Sequence, residues 1–90
     1  MLYRAFSVYD SKARIFNLPF YFINVGEALR AFSDLANDLT TSVGRHPHDF
    51  SLQEIGTYDA LTGHLLAVHP FVNHGLAAAF VRDAAPCTLP

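Results

Sequence analysis

Only one stretch of this chain carries its apolar residues at helical spacing. Between Asn24 and Leu39, the residues Leu29, Phe32, Leu35, Ala36 and Leu39 recur at three- and four-residue intervals and form one apolar stripe. Arg30, Ser33, Asp34, Asn37 and Asp38 fall on the other face. Asn24 is placed to cap this helix, and Glu27, three residues on, is placed to reach back to the Asn24 amide. The run Thr40-Thr41-Ser42-Val43-Gly44 ends it, because β-branched residues and glycine disfavour continuation. One amphipathic helix can cover one face of one sheet. The rest of the chain must therefore supply that sheet.

The flanking segments read as strands. Leu2, Arg4, Phe6 and Val8 alternate with Tyr3, Ala5, Ser7 and Tyr9, which puts the two sets on opposite faces. Asp10-Ser11-Lys12 is a polar turn signal. Arg14 to Ile23 is rich in aromatic and β-branched residues and reads as a second strand. Pro19 cannot donate to a ladder, so it predicts an edge position, a bulge, or a break between two short strands. Arg45 to Asp49 is a loop. Phe50 to Tyr58 resumes a strand with an irregularity near Gly56. Asp59 to Gly63 has the composition of a hairpin loop, with Gly63 in the left-handed conformation. His64 to His69 is the returning strand, ended by Pro70. Residues 71–82 read as a short helix capped by Asn73 and built on Leu76 to Val81, with a final buried strand as the alternative. The predicted fold is α+β. It is a two-layer domain over residues 1–82, with an antiparallel sheet of about four strands in the order β-β-α-β-β, one helix packed on it and a short C-terminal segment. Residues 83–90 are expected to be a loose tail.

Composition sharpens what such a domain must do with its surface. The chain is 51% hydrophobic and only 16% charged, with a mean hydropathy of +0.20. That excludes intrinsic disorder. The longest apolar runs, Leu18 to Ile23 and Leu76 to Val81, fall far short of the ~20 residues of a membrane span. Met1-Leu2-Tyr3-Arg4 does not open a basic-then-apolar leader, so neither a secretory signal nor a membrane partner is expected. The single cysteine, Cys87, excludes an intramolecular disulfide and fits a reducing cytoplasm. Six Lys and Arg against eight Asp and Glu leave a net charge of −2, which excludes a polybasic nucleic-acid condenser. The helix stripe and the inward strand faces absorb most of the apolar excess. The aromatic first hairpin and the Leu76 to Val81 run are left over, and a partner is expected there.

Catalytic chemistry is poorly represented. His46-Pro47-His48 with Asp49 is the most metal-like arrangement, but no HExxH or CxxC supports it, so neither a metal nor any other cofactor is expected. Cys87 lies between Pro86 and Thr88, where nothing lowers its pKa. No nucleophile elbow, dinucleotide fingerprint or P-loop occurs. Glu54 and Asp59, two acids near a hairpin, read as solvated surface. The chain is not expected to be an enzyme.

Aromatics interleaved with cations are the stronger signal. Single-stranded nucleic acid is held by stacking on aromatic side chains beside a basic groove. On that reading Arg4, Lys12, Arg14 and Arg45 dock the phosphates, and Tyr3, Tyr9 and Tyr21 stack on bases. The competing reading is that period-2 aromatics face a core. A third class is an assembly protein, in which the apolar excess and an unpaired edge strand build a homo-oligomer or bind a capsid protein.

Several pieces, taken in order, resemble a known family. They are Phe6-Ser7-Val8-Tyr9-Asp10-Ser11-Lys12-Ala13, Pro19-Phe20, Gly26 to Phe32, His46-Pro47-His48-Asp49-Phe50-Ser51-Leu52, and Ile55-Gly56-Thr57-Tyr58-Asp59 with Thr62-Gly63. The set resembles the small nonstructural protein of gokushovirus-type microviruses, tailless phages with circular single-stranded DNA genomes. His48 stands where relatives often carry an acidic residue, so no role is carried over to it. The resemblance implies a nonstructural or DNA-binding protein serving replication or packaging of single-stranded DNA. It implies a place in the host bacterial cytoplasm or inside the virion, and it defines no catalytic residue.

Overall fold

A computed structural model describes residues 1–82, and the expected loose tail, residues 83–90 with Cys87, lies outside the described residues. The fold is α+β, as the pattern of periods predicts. Five antiparallel strands form one sheet: β1 (Leu2–Asp10), β2 (Ile15–Phe16), β3 (Phe20–Phe22), β4 (Phe50–Asp59) and β5 (Leu65–Leu76). The order is β2-β1-β4-β5, with β3 also paired to β1. The second predicted strand is thus broken in two around Asn17 to Pro19, which raises the strand count from four to five. Asn17 holds the break against β1: its N–H donates to the Val8 carbonyl at 2.9 Å, and its own carbonyl accepts from Ser7 Oγ at 2.7 Å.

The main helix, α1 (Val25–Ala36), starts where its cap predicts, with Asn24 Oδ1 accepting from the Glu27 N–H at 2.9 Å. It buries Ala28, Phe32 and Ala36, with Leu29 and Leu35 partly covered. Leu39 leaves the predicted stripe and is 73% exposed, because the helix stops at Ala36. Asn37 accounts for the stop. Its Nδ2 donates to the Ser33 carbonyl at 2.8 Å and to the Phe80 carbonyl at 3.0 Å. Its Oδ1 accepts from the Arg82 N–H at 2.8 Å. One side chain therefore ties the helix end to the C-terminal segment. A second short helix, α2 (Ser42–Arg45), follows, capped by Thr41. In the connection, the Thr40 hydroxyl and N–H donate to Asp38 and hold its carboxyl below the ordinary carboxylate range.

The core lies between α1 and one face of the sheet. Phe6 and Val8 of β1, Phe50 and Leu52 of β4, Ala28, Phe32 and Ala36 of α1, Val43 of α2, and Ala77 form one buried cluster. Phe6, Phe32 and Leu52 are fully enclosed. Burying a side chain of this size contributes about 1.5–3 kcal/mol relative to leaving it in water.

The C-terminal third departs from expectation at two points. First, Pro70 does not end the returning strand. β5 runs through it to Leu76. Between Ala67 and Val72 four residues intervene, while only Ile55 lies between their β4 partners Gly56 and Glu54. Residues 68–71 therefore leave the ladder, and a proline in such an excursion sacrifices no ladder bond. The Phe71 ring meets Phe16 edge-on at 5.7 Å. β5 and β2 are opposite edges of the sheet, so this excursion arches over the face that α1 leaves open. Second, residues 71–76 take the alternative reading, a strand, rather than the preferred helix, because Val72, Asn73, Gly75 and Leu76 pair with β4. Ladder pairing outweighs the helix start expected at Asn73. Only Ala77–Phe80 turns helical, as a 3-10 helix, and it sets Phe80 against Phe32.

The irregularity expected near Gly56 is present. Ile55 has no partner across β1, and the register shifts there between Ala5 and Phe6. A Cβ on Gly56 would lie 2.2 Å from the Leu66 carbonyl oxygen, which is backbone and cannot rotate away. Gly63 takes φ +78° in the hairpin turn, as its position predicts. Gly56→Ala is therefore expected to lower stability by about 1–3 kcal/mol. Gly26→Ala, in the first turn of α1 with its Cβ 3.4 Å from Asn24 Oδ1, is expected to be neutral or to gain about 0.5–1 kcal/mol. Denaturant unfolding of the two variants checks the contrast, and equal effects would contradict the close approach.

Candidate nucleic-acid interface

Strand alternation divides the residues of the first hairpin between two unlike surfaces. Phe6 and Val8 point to the helix. Tyr3, Ala5, Ser7 and Tyr9 point to the open face. Cross-strand pairing extends that set. Tyr3 pairs with Tyr58, Ala5 with Tyr21, and Tyr9 with Phe16. Tyr21 and Tyr58 bring their ring centroids to 5.9 Å, Tyr9 and Phe16 to 4.6 Å.

Two shallow grooves run over this face. One, of about 510 Å³, is lined by Tyr3, Tyr21, Tyr58 and Leu65. The other, of about 310 Å³, is lined by Ala5, Pro19, Tyr21, Gly56 and Phe71. They share Tyr21, so the surface is continuous from the tyrosine trio to Phe71. His69 stacks on Phe71 at 6.2 Å with an interplanar angle of 18°, and Phe71 meets Phe16. The result is one aromatic track from Tyr3 to Tyr9, which are six residues and therefore about 20 Å apart along β1.

Beyond Tyr9 the track reaches the turn that carries Lys12 and Arg14. Asp10 builds that turn: its Oδ1 accepts from the N–H groups of Lys12 and Ala13, and its carbonyl accepts from the Arg14 N–H at 2.8 Å. Arg14 sits at φ 59°, the left-handed region. A side chain there costs about 1–2 kcal/mol relative to the right-handed conformation.

The structure does not bring all seven predicted residues together. Tyr3, Tyr21 and Tyr9 lie on the open face, and Lys12 and Arg14 lie at its end. Arg4 points to the helix side, with Nη1 3.6 Å from Glu54 Oε2. Arg45 ends α2, and its Nη1 donates to the Leu39 carbonyl at 3.2 Å. Three contributors escape a reading of the sequence. Tyr58 stands in a strand that the sequence predicts, but only its pairing with Tyr3 reveals it. Phe71 and His69 lie on a segment whose excursion no local pattern announces.

Glu54 also departs from its expected role. It is not solvated surface but 15% exposed, between Arg4 and His74, whose Nε2 lies 2.9 Å from Glu54 Oε1. Its pairing with Val72 and Phe6 carries it to the helix side near the Phe6 ring, which explains the burial. The His46-Pro47-His48-Asp49 loop serves the fold. The Asp49 carbonyl accepts from the Ser11 N–H and hydroxyl, and the Pro47 carbonyl from the Ala78 N–H. Among the described residues no group of three or more His, Cys, Asp and Glu side chains is placed to hold a metal ion. His74→Ala removes a half-buried hydrogen bond to a carboxylate and is expected to cost about 1–2 kcal/mol. Arg4→Ala, losing a longer and more exposed pair, is expected to cost under about 1 kcal/mol. Thermal or denaturant unfolding of both variants tests that order.

No curated protein and no solved structure matches the chain. A family does: the Phage ORF5 proteins, over residues 3–79. That span runs from the first strand through most of the 3-10 helix, so it takes in every element that builds the track. The chain belongs to the Phage ORF5 protein family and is a small phage protein.

Proposed function

We propose that the protein binds single-stranded DNA on its open sheet face, without catalysis, and serves replication or packaging of a single-stranded phage genome. This is the role implied by the resemblance to the microvirus nonstructural protein. The observation that carries the reading is the aromatic track from Tyr3, Tyr21 and Tyr58 through Phe71 to Phe16 and Tyr9, ending at Lys12 and Arg14. Stacking contributes about 1–3 kcal/mol per base and tolerates any base. A net acidic protein can therefore bind with few cations, provided that they stand at the track. Arg14 fits that economy: it occupies a backbone conformation that favours glycine, and the cost is offset where the guanidinium is used on a phosphate.

Fluorescence anisotropy with a dT oligonucleotide tests the proposal. The parent is expected to bind in a salt-dependent manner. Tyr21→Ala, at a residue already 40% exposed, is expected to weaken binding by about 1–3 kcal/mol. Arg14→Gly relieves the backbone and keeps the fold. Combined with Lys12→Ala, it is expected to reduce the slope of log affinity against log salt by about 1.4, two phosphate contacts at about 0.7 each for a single strand. Absence of salt-sensitive binding by the parent, or variants that bind like the parent, would sink the proposal.

A further inference from the structure

The outer edge of β5 is free among the described residues: the strand pairs with β4 and with no other strand. At the hairpin end this edge has a particular form. The Asp59 N–H donates to the His64 carbonyl at 2.9 Å. In an antiparallel ladder, residues alternate between bonding inward and outward. His64 and Leu66 therefore bond to β4, while Leu65 and Ala67 turn their N–H and C=O groups outward. The stretch Leu65-Leu66-Ala67-Val68 carries no charge and no proline, the usual devices that blunt an edge. Leu65 and Leu66 are 60% and 63% exposed, on opposite faces of the sheet.

We propose that this edge pairs with the same edge of a second copy, forming a two-fold dimer centred on Leu66. The register follows from the outward groups. Leu65 of one copy exchanges hydrogen bonds with Ala67 of the other, and the reverse, which leaves Leu66 opposite Leu66 across the axis. A self-paired edge is the occupant that satisfies both outward residues with one symmetric contact and no like charges face to face. The pairing is also self-limiting. On one side, the excursion at residues 68–71 bends β5 out of the ladder. At the far edge of the sheet stand only the two- and three-residue strands β2 and β3, separated by the Asn17 to Pro19 break, so no second long edge is available to extend the assembly into a filament. Because the axis stands perpendicular to the joined sheet, the open faces of both copies lie on the same side. The two aromatic tracks become one surface, with both α1 helices behind it.

Two measurements test the dimer separately from DNA binding. Light scattering across micromolar to hundreds of micromolar protein is expected to show a dimer. Ala67→Pro removes an outward N–H that the monomer does not use, and it is expected to leave a folded monomer by circular dichroism. Leu61→Lys, at the hairpin tip off the edge, is expected to remain dimeric. In a Cys87→Ser background, Leu66→Cys is expected to form an intermolecular disulfide on mild oxidation. Directly opposed residues of this kind have Cα atoms about 4.5 Å apart, inside the disulfide range of about 4.4–6.8 Å. Leu65→Cys, offset from its copy by two residues, is expected not to cross-link. A parent that stays monomeric throughout, with Leu66→Cys uncross-linked, would overturn the dimer and leave the edge to a strand of another protein. So would a dimer that survives Ala67→Pro. A monomer that binds dT would refute the dimer alone, and a dimer that binds no dT would refute the DNA reading alone.

Discussion

A mismatch of lengths governs this molecule. Among the described residues the longest helix has 12 residues, which at 1.5 Å each span about 18 Å. β4 has 10 residues, which span about 33 Å. The helix therefore covers one face of roughly half the sheet. The enclosed core of Phe6, Leu52 and Phe32 sits in that half. The other half, from Leu2 to Arg4, from Gly56 to Asp59 and from Leu65 to Ala67, is left open on both sides. The exposed leucines and the tyrosine groove are consequences of that geometry. With a helix of that length over such a sheet, a chain that is 51% hydrophobic leaves large apolar side chains such as Leu2, Leu65 and Leu66 exposed.

The excursion at residues 68–71 is a partial answer to the same shortage. It folds a Phe71 ring over the face that has no helix, and Ser7 and Ser51, which lie under this side, are buried. Ser7 keeps its hydroxyl bonded to the Asn17 carbonyl, so its burial leaves no polar atom unpaired. The arch also gives the track its continuity. Without Phe71, the tyrosines at one end and the Tyr9–Phe16 pair at the other would be separate patches.

The helix, its Asn24 cap, the Asp59 to Gly63 turn and the irregularity at Gly56 are legible in local sequence patterns. Each depends on neighbours in sequence: a cap and a donor three residues on, or a glycine closing a turn. What is not legible depends on partners far along the chain. Glu54 looks like surface until Arg4 and His74, fifty and twenty residues away, arrive beside it. Asn73 looks like a helix cap until it pairs with β4, which leaves only Ala77–Phe80 of that segment helical. Pro70 looks like a strand end because the excursion that accommodates it is visible only in the register. The tyrosines show the same division. Only cross-strand pairing adds Tyr21 and Tyr58 to Tyr3 and Tyr9, whereas alternation along β1 by itself separates Arg4 from them.

That last separation bears on how a net acidic chain can meet a polyanion. If Arg4 lay on the open face, it would stand among the tyrosines. Instead it is beside Glu54, and the charge of the pair is largely cancelled on the helix side. The cations left at the track are at its end, in the Asp10-anchored turn, while its middle is apolar and aromatic. Under the proposed function, such a surface would hold a flexible strand by its bases and steer it by one end. A rigid duplex, whose bases are stacked inside and whose charge is uniform along its length, finds little there to grip. On the proposed function, the arrangement of charge, more than its total, is what favours single strands over double.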